Sequence, residues 1–181
     1  NDISCLPVGA EREIAKVNRV IDGDTIEVLM NGLLYKVRYI GIDTPEVGEP
    51  YYTEATTLNA KLVSKQTITM IKDVTETDDY NRLLRYILVD GQFVNFELVN
   101  QGLAYSKSYP PDTSCQELFD GAQNNAASTQ AGLWKPTKVP STKSTATRLS
   151  SCDPAYPDVC IQSPPPDLDC KDIPYRRFRR S

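Results

Sequence analysis

The chain has 181 residues, 40% hydrophobic and 24% charged, enough for one ordinary domain with an appendage, and it contains no apolar run long enough to cross a membrane. Twenty basic residues against 24 acidic ones leave a net charge of −4, which argues against retention on nucleic acid by bulk positive charge. Histidine is absent, so a Ser-His-Asp triad, a histidine general base and a histidine-ligated zinc are all excluded, and catalysis falls to carboxylates, arginines, tyrosines, lysine or thiols.

From the start, residues 1–10 lack a basic stretch followed by an apolar one, so no secretory signal is expected within them. Residues 17–20 and 26–30 predict two strands joined by Asp22-Gly23-Asp24-Thr25. In such a run Asp hydrogen-bonds its own backbone and Gly supplies an unusual φ. Asn31-Gly32 then precedes a third β-prone run, 33–40, and that dipeptide is a strong hairpin signal because both turn positions need φ > 0. Residues 52–65 predict a helix with Ala55, Leu58, Leu62 and Val63 at helical spacing, and 67–71 and 83–89 predict two more strands. Asp90-Gly91 predicts a tight turn ahead of a short helix, 94–100, closed by Gly102. A last helix is expected from Ser114, where Ser114-x-x-Glu117 fits a capping box and Leu118, Ala122, Ala126 and Leu133 or Trp134 face a core. The expected fold is mainly β: an OB-fold, a five-stranded Greek-key barrel with three helices, followed by a largely irregular tail.

The composition divides the chain into an N-terminal extension (1–14), the barrel domain (15–135), a polar linker (136–151) and a Cys/Pro-rich tail (152–181). Five cysteines are too widely spaced for a zinc knuckle or a CxxC redox motif. Cys152, Cys160 and Cys170 crowd the tail, which reads as disulfide-stapled in an oxidising compartment, with Cys5 and Cys115 as the other candidates and the pairing left open.

The chemistry-bearing residues are hard oxygen donors and guanidiniums. Asp24 and Asp43 end or begin strands, and Glu46 follows close behind. Without nitrogen or sulfur donors such a set suits Ca²⁺ or Mg²⁺ better than zinc or copper. Arg38 and Arg82 would be wasteful around a purely structural ion, but they suit a phosphate, whose oxygens guanidinium grips in pairs.

The runs VIDGDTIEV, VRYIGIDTPE, YYTEA, DDYNRLLRYILVDG, FVNFELVNQGLA and AGLWKP, in this order over residues 16–135, resemble the staphylococcal nuclease family. That resemblance implies a secreted, Ca²⁺-dependent endonuclease on an OB-fold that hydrolyses DNA and RNA with little sequence preference, leaves 3′-phosphates, and acts as a monomer. It implies that Asp24 and Asp43 are the calcium carboxylates and that Thr44 offers its backbone carbonyl. By the same resemblance Glu46 orients or deprotonates the attacking water, Arg38 and Arg82 hold the scissile phosphate, and Tyr80, Leu84 and Tyr109 surround the nucleotide. The chain departs from the family in four places. Val47-Gly48-Glu49-Pro50 replaces a longer basic loop, Asp79 stands where the family has a lysine, and Asn81 replaces a glycine. The second of a tyrosine pair is missing beside Tyr109 unless Tyr105 serves. Two competing expectations are a non-catalytic OB-fold module that binds nucleic acid or protein, and a surface protein in which the tail matters most. The first has no reason to keep Asp24, Arg38, Asp43, Glu46 and Arg82 together. The basic end, Arg176, Arg177, Arg179 and Arg180, is either a nucleic-acid contact or a solubilising terminus.

Overall fold

The computed structural model describes residues 3–136. Within it β1 (Arg12–Val20) turns Ala15 and Val17 inward and Ile14, Lys16 and Asn18 outward, the period-two pattern of a half-buried strand. It pairs with β2 (Thr25–Met30) on one side and β5 (Thr67–Ile71) on the other. The Asn31-Gly32 hairpin forms as expected, with φ of 51° and 81°, and leads into β3 (Leu33–Tyr39). Strand β6 (Leu83–Val89) pairs with β5 and then, in parallel, with β3, which closes the five-stranded barrel. That closing register sets Arg38 beside Leu84 and so carries two distant sequence regions to one barrel edge.

Three two-residue strands escape the sequence pattern because two residues carry no period. They are β4 (Ile42–Asp43), β7 (Gln92–Phe93) and β8 (Tyr105–Ser106); β4 pairs with β8 and places Asp43 opposite Tyr105. Asp90-Gly91 therefore links β6 to β7 before the helix begins.

Helix α1 (Tyr52–Val63) buries Ala55, Leu58, Asn59 and Val63, and α2 (Val94–Asn100) buries Val94, Asn95, Leu98 and Val99. In α2, Asn95 accepts from the Ile87 amide at 3.0 Å and donates to the Ile40 carbonyl at 2.9 Å, docking the helix onto backbone beside β3 and within β6. Helix α3 (Gln116–Ser128) departs from expectation at its start. Its N-cap is Cys115 with no side-chain cap, so the Ser114–Glu117 capping box does not form. Ser114 instead gives its hydroxyl and its amide to the Asp73 carboxylate, at 2.8 and 2.9 Å, because a long-range carboxylate outcompetes the local amide. The core face of α3 runs through Phe119, Ala122 and Ala126, and Leu118 stays 36% exposed. Phe119 wins because it completes an aromatic cluster with Tyr86 and Phe93, centroids 6.3 and 5.5 Å away.

The N-terminal segment is tied to the barrel. Leu6 is buried, and Cys5 is bonded to Cys115 at the head of α3, so two of the five thiols pair inside the domain and not in the tail. Cys152, Cys160, Cys170, the linker, the tail and its terminal arginines lie outside the described residues. No helix among the described residues is long and apolar enough to cross a membrane.

Candidate active site

The turn between β1 and β2 builds the first part of the site. Asp22 Oδ1 accepts the Asp24 amide at 3.1 Å, the expected self-bonded turn. Gly23 is required for a different reason from the one expected. It lies outside the left-handed region, but a Cβ there would stand 2.6 Å from Thr44 Oγ1, so only glycine lets Thr44 close over the turn. Asn59 of α1 clamps the turn from behind, donating to the Asp22 carbonyl and accepting from the Tyr39 hydroxyl, both at 2.8 Å. Burial pushes the Tyr39 phenol well above its usual range, so it stays a neutral donor.

Asp24, only 1% exposed, sits at the centre. Its Oδ2 accepts the amide and hydroxyl of Thr44 at 2.8 and 2.9 Å, and its Oδ1 accepts the Thr25 hydroxyl at 3.1 Å. The Arg38 guanidinium pairs through Nη1 with Asp24 Oδ1, and through Nη2 with Asp43 Oδ1 at 2.7 Å and the Ile42 carbonyl at 3.3 Å. One cation thus bridges both carboxylates, and a buried carboxylate needs such a partner. Burial raises the pKa of nearby Asp22, against the opposing pull of the Thr25 hydroxyl and the Arg38 charge.

The second part is a loop. Asp78 Oδ1 accepts the amides of Tyr80 and Arg82, both at 3.0 Å, and its Oδ2 binds Arg82 Nε and Nη2 at 2.7 Å. Burial alone would raise the Asp78 pKa, but the bonds and charge of Arg82 outweigh it and hold the carboxyl below its usual range. Asn81 adopts φ 60°, so its amide side chain tolerates the left-handed geometry of a glycine. The Arg82 guanidinium lies 5.4 Å from the ring centroid of Tyr80, which is 81% exposed.

Arg38, Arg82, Tyr80, Leu84 and Tyr109 line a common cavity of about 500 Å³. Asp78, Asp79 and the buried Asp112 line it too, so its charged lining is acidic outside the two guanidiniums. Tyr105 does not serve as a second pocket tyrosine, since it lies edge-on to Trp134, 5.9 Å away, and is not among the lining residues. Glu46 is exposed, in a turn where Glu49 accepts its amide at 2.8 Å, and it makes no bond to Asp24, Asp43 or either arginine. Among the described residues no three acidic or thiol side chains stand close enough to hold an ion by themselves.

Several positioning residues were not read from the sequence. Asn59 and Asp112 look like ordinary polar residues of a helix and a loop, and only tertiary contact shows that each satisfies backbone groups remote in sequence. Asp22 and Asp78 stand inside recognised runs; the turn at Asp22 was read from the sequence, whereas the bonds of Asp78 to the Tyr80 and Arg82 amides were not, although an Asp two residues ahead of a turn amide was the available signal.

Residues 36–136 match the family model described as staphylococcal nuclease homologue. The chain belongs to this family. It is 35% identical over 125 residues to a thermonuclease of Staphylococcus intermedius, covering 66% of this chain and 74% of the relative. It is 35% identical over 131 residues to a thermonuclease of Staphylococcus hyicus, covering 69% and 78%. It is also 36% identical over 126 residues to endonuclease YncB of Bacillus subtilis, covering 65% and 60%. The barrel described above is the fold of this staphylococcal nuclease homologue, and its closing strand pair is what brings the two arginines to one cavity.

Proposed function

We propose that the protein is a nuclease, a phosphodiesterase that hydrolyses DNA and RNA with low sequence specificity, depends on Ca²⁺ and leaves 3′-phosphates. The observation that carries this reading is Arg38, which bridges Asp24 and Asp43 and lines the cavity shared with Arg82. On this reading the carboxylates that would bind a cation and the guanidiniums that would bind phosphate are linked through Arg38. The names of the thermonuclease and endonuclease relatives support the reaction class.

The donors fit a hard divalent ion. Two carboxylates already converge on a cation, and with the Thr44 carbonyl they form an all-oxygen set, provided Arg38 releases at least one of them. In our reading Asp24, Asp43 and Thr44 hold Ca²⁺, which when bound supplies Lewis-acid neutralisation of a phosphate oxygen. Arg38, once released, and Arg82, whose Nη1 has no partner among the described residues, grip the phosphate and act most where charge builds up in the transition state. Glu46 orients the attacking water or takes its proton, which otherwise passes to solvent, as the water oxygen bonds to phosphorus. The phosphorus–O5′ bond breaks, and the 5′ oxygen leaves as a hydroxyl after protonation from solvent. Tyr80, Leu84 and Tyr109 receive the nucleoside, with the exposed Tyr80 face available for stacking. The Cys5–Cys115 disulfide supports an oxidising, extracellular location, and we expect a monomer.

The test is digestion of plasmid and of RNA in Ca²⁺, in Mg²⁺ and in chelator, with end analysis and with Glu46→Gln alongside. We expect cleavage in Ca²⁺, 3′-phosphate ends, and a loss of about 10²- to 10⁴-fold in the variant with its melting temperature unchanged. Wild-type activity in Glu46→Gln removes Glu46 from the mechanism, and a chain inert in every metal leaves only a binding module.

A further inference from the structure

Both guanidiniums at the site described above are paired with carboxylates, Arg38 with Asp24 and Asp43 and Arg82 through Nε and Nη2 with Asp78, and both are assigned to the scissile phosphate. The loop after Glu46 contributes no basic residue, since 47–50 reads Val-Gly-Glu-Pro. With a net charge of −4 over the chain, a polyanionic strand needs positive charge placed locally.

Lys107 stands where such a charge is needed. It directly follows β8, the strand laddered to β4, so that its amide donates to the Gly41 carbonyl at 2.9 Å and its neighbours Ser106 and Tyr105 face Ile42 and Asp43. Its Nζ lies 3.8 Å from Asp43 Oδ2, the oxygen that Arg38 does not bind. Its side chain is 52% exposed and has no hydrogen-bond acceptor among the described residues. A contact at that distance and exposure contributes little to stability, so a structural role is a weak account of it. Gly41, which anchors the Lys107 backbone, itself lines the cavity.

We propose that Lys107 is a substrate-binding residue that contacts a backbone phosphate of the polynucleotide next to the one held by Arg38 and Arg82. This rests on the nuclease reading and extends it, because it makes the site a reader of strand as well as of a single phosphodiester. Asp43 holds the ammonium at the mouth of the site until the carboxylate is drawn to its divalent ion, and the ammonium then turns to the strand. A residue that only oriented Asp43 would act on every substrate alike; a strand contact acts only on substrates long enough to reach it.

Three measurements on the full chain test this. For Lys107→Gln the KM for single-stranded polynucleotide should rise about fivefold near 0.1 M salt, the factor expected from losing one phosphate contact that releases about 0.7 of a counterion. The slope of log affinity against log salt, read by fluorescence anisotropy on a phosphorothioate strand, should become shallower by about 0.7. A nitrophenyl phosphodiester of thymidine, which carries one phosphate, should be cleaved by wild type and variant with the same kcat/KM, and Lys107→Arg should restore polynucleotide KM. An equal loss on polymer and small ester, or an unchanged salt slope, overturns the proposal. Should wild type cleave nothing, the nuclease reading fails by itself, and the anisotropy comparison still decides whether Lys107 meets the strand.

Discussion

Asp24 and Asp43 stand at strand ends and take their positions from backbone ladders, Asp24 from the barrel and Asp43 from the small β4–β8 sheet, whereas Tyr80, Arg82 and Tyr109 stand on loops held by side-chain bonds to backbone and by a disulfide. On the first side Asp24 closes the turn into β2, Thr44 follows β4 and is bonded to Asp24, and Arg38 lies within β3 opposite Thr25. On the second side Asp112 Oδ1 accepts the amides of Val74 and Thr75 at 2.9 and 2.8 Å, Asp73 accepts Ser114, and Cys5–Cys115 anchors the segment that follows Tyr109. The buried Arg85 reinforces that loop through the Glu76 carboxylate and carbonyl and also binds Glu13 at 2.5 Å. Burial opposes its charge, but these bonds raise its pKa all the same. On the proposed function, the residues assigned to the cation would thus be set by strand pairing, and those assigned to the nucleoside by loops that side-chain bonds hold in place.

The largest effect should come from breaking the strand side. Arg38→Met leaves Asp24 buried without a counter-charge, and we expect about 3–5 kcal/mol of lost stability in urea unfolding at neutral pH together with loss of cleavage. A midpoint equal to wild type would show that the bridge does not hold the two carboxylates. Opening the disulfide, by reductant or by Cys5→Ser with Cys115→Ser, removes a link spanning 110 residues and should cost about 2–4 kcal/mol. In the surviving folded protein it should raise KM more than it lowers kcat, since the loop side is the one anchored; the reverse split would merge the two sides into one unit. Next comes Asp112→Ala, which strands two backbone amides and should cost about 1–3 kcal/mol while Asp112→Asn, keeping an acceptor, recovers most of it. Hydrogen exchange at Val74 and Thr75 reads this directly.

The smallest expected effect concerns pH. The pKa of Asp22 is raised in the folded state, so the native protein binds more protons than the unfolded one as pH climbs past the unfolded value of about 3.9, and stability falls until the folded pKa is passed. Asp22→Asn keeps the acceptor for the Asp24 amide and should raise the melting temperature slightly at pH 7 and not at all near pH 3. A gain that persisted at pH 3 would assign the effect to packing.

The barrel was legible because its longer strands and helices run for at least five residues with period two or helical spacing, and Asn31-Gly32 and Asp90-Gly91 marked the turns. The start of α3 misled because Ser114 has the right neighbours for a capping box, while its partner Asp73 is 41 residues away. Leu118 was preferred to Phe119 because Ala122 and Ala126 are compatible with either face, and only Tyr86 and Phe93 decide between them. At the site, motif spacing pointed to Asp24, Arg38 and Asp43, which do meet, and also to Glu46, which stands apart in its own turn.

By itself the sequence determined the absence of histidine chemistry, the strand and helix periods, and the family pattern that runs through the barrel, because these depend on residue type and short-range order. The tertiary structure decided that one guanidinium joins two carboxylates, that Cys5 seeks Cys115, and that Lys107 reaches Asp43. Those pairings are made by the β2–β3 register that sets Arg38 beside the Asp24 turn, by the β4–β8 pair that carries Lys107 to Asp43, and by a disulfide between residues 110 apart in sequence, and no local pattern encodes such distances.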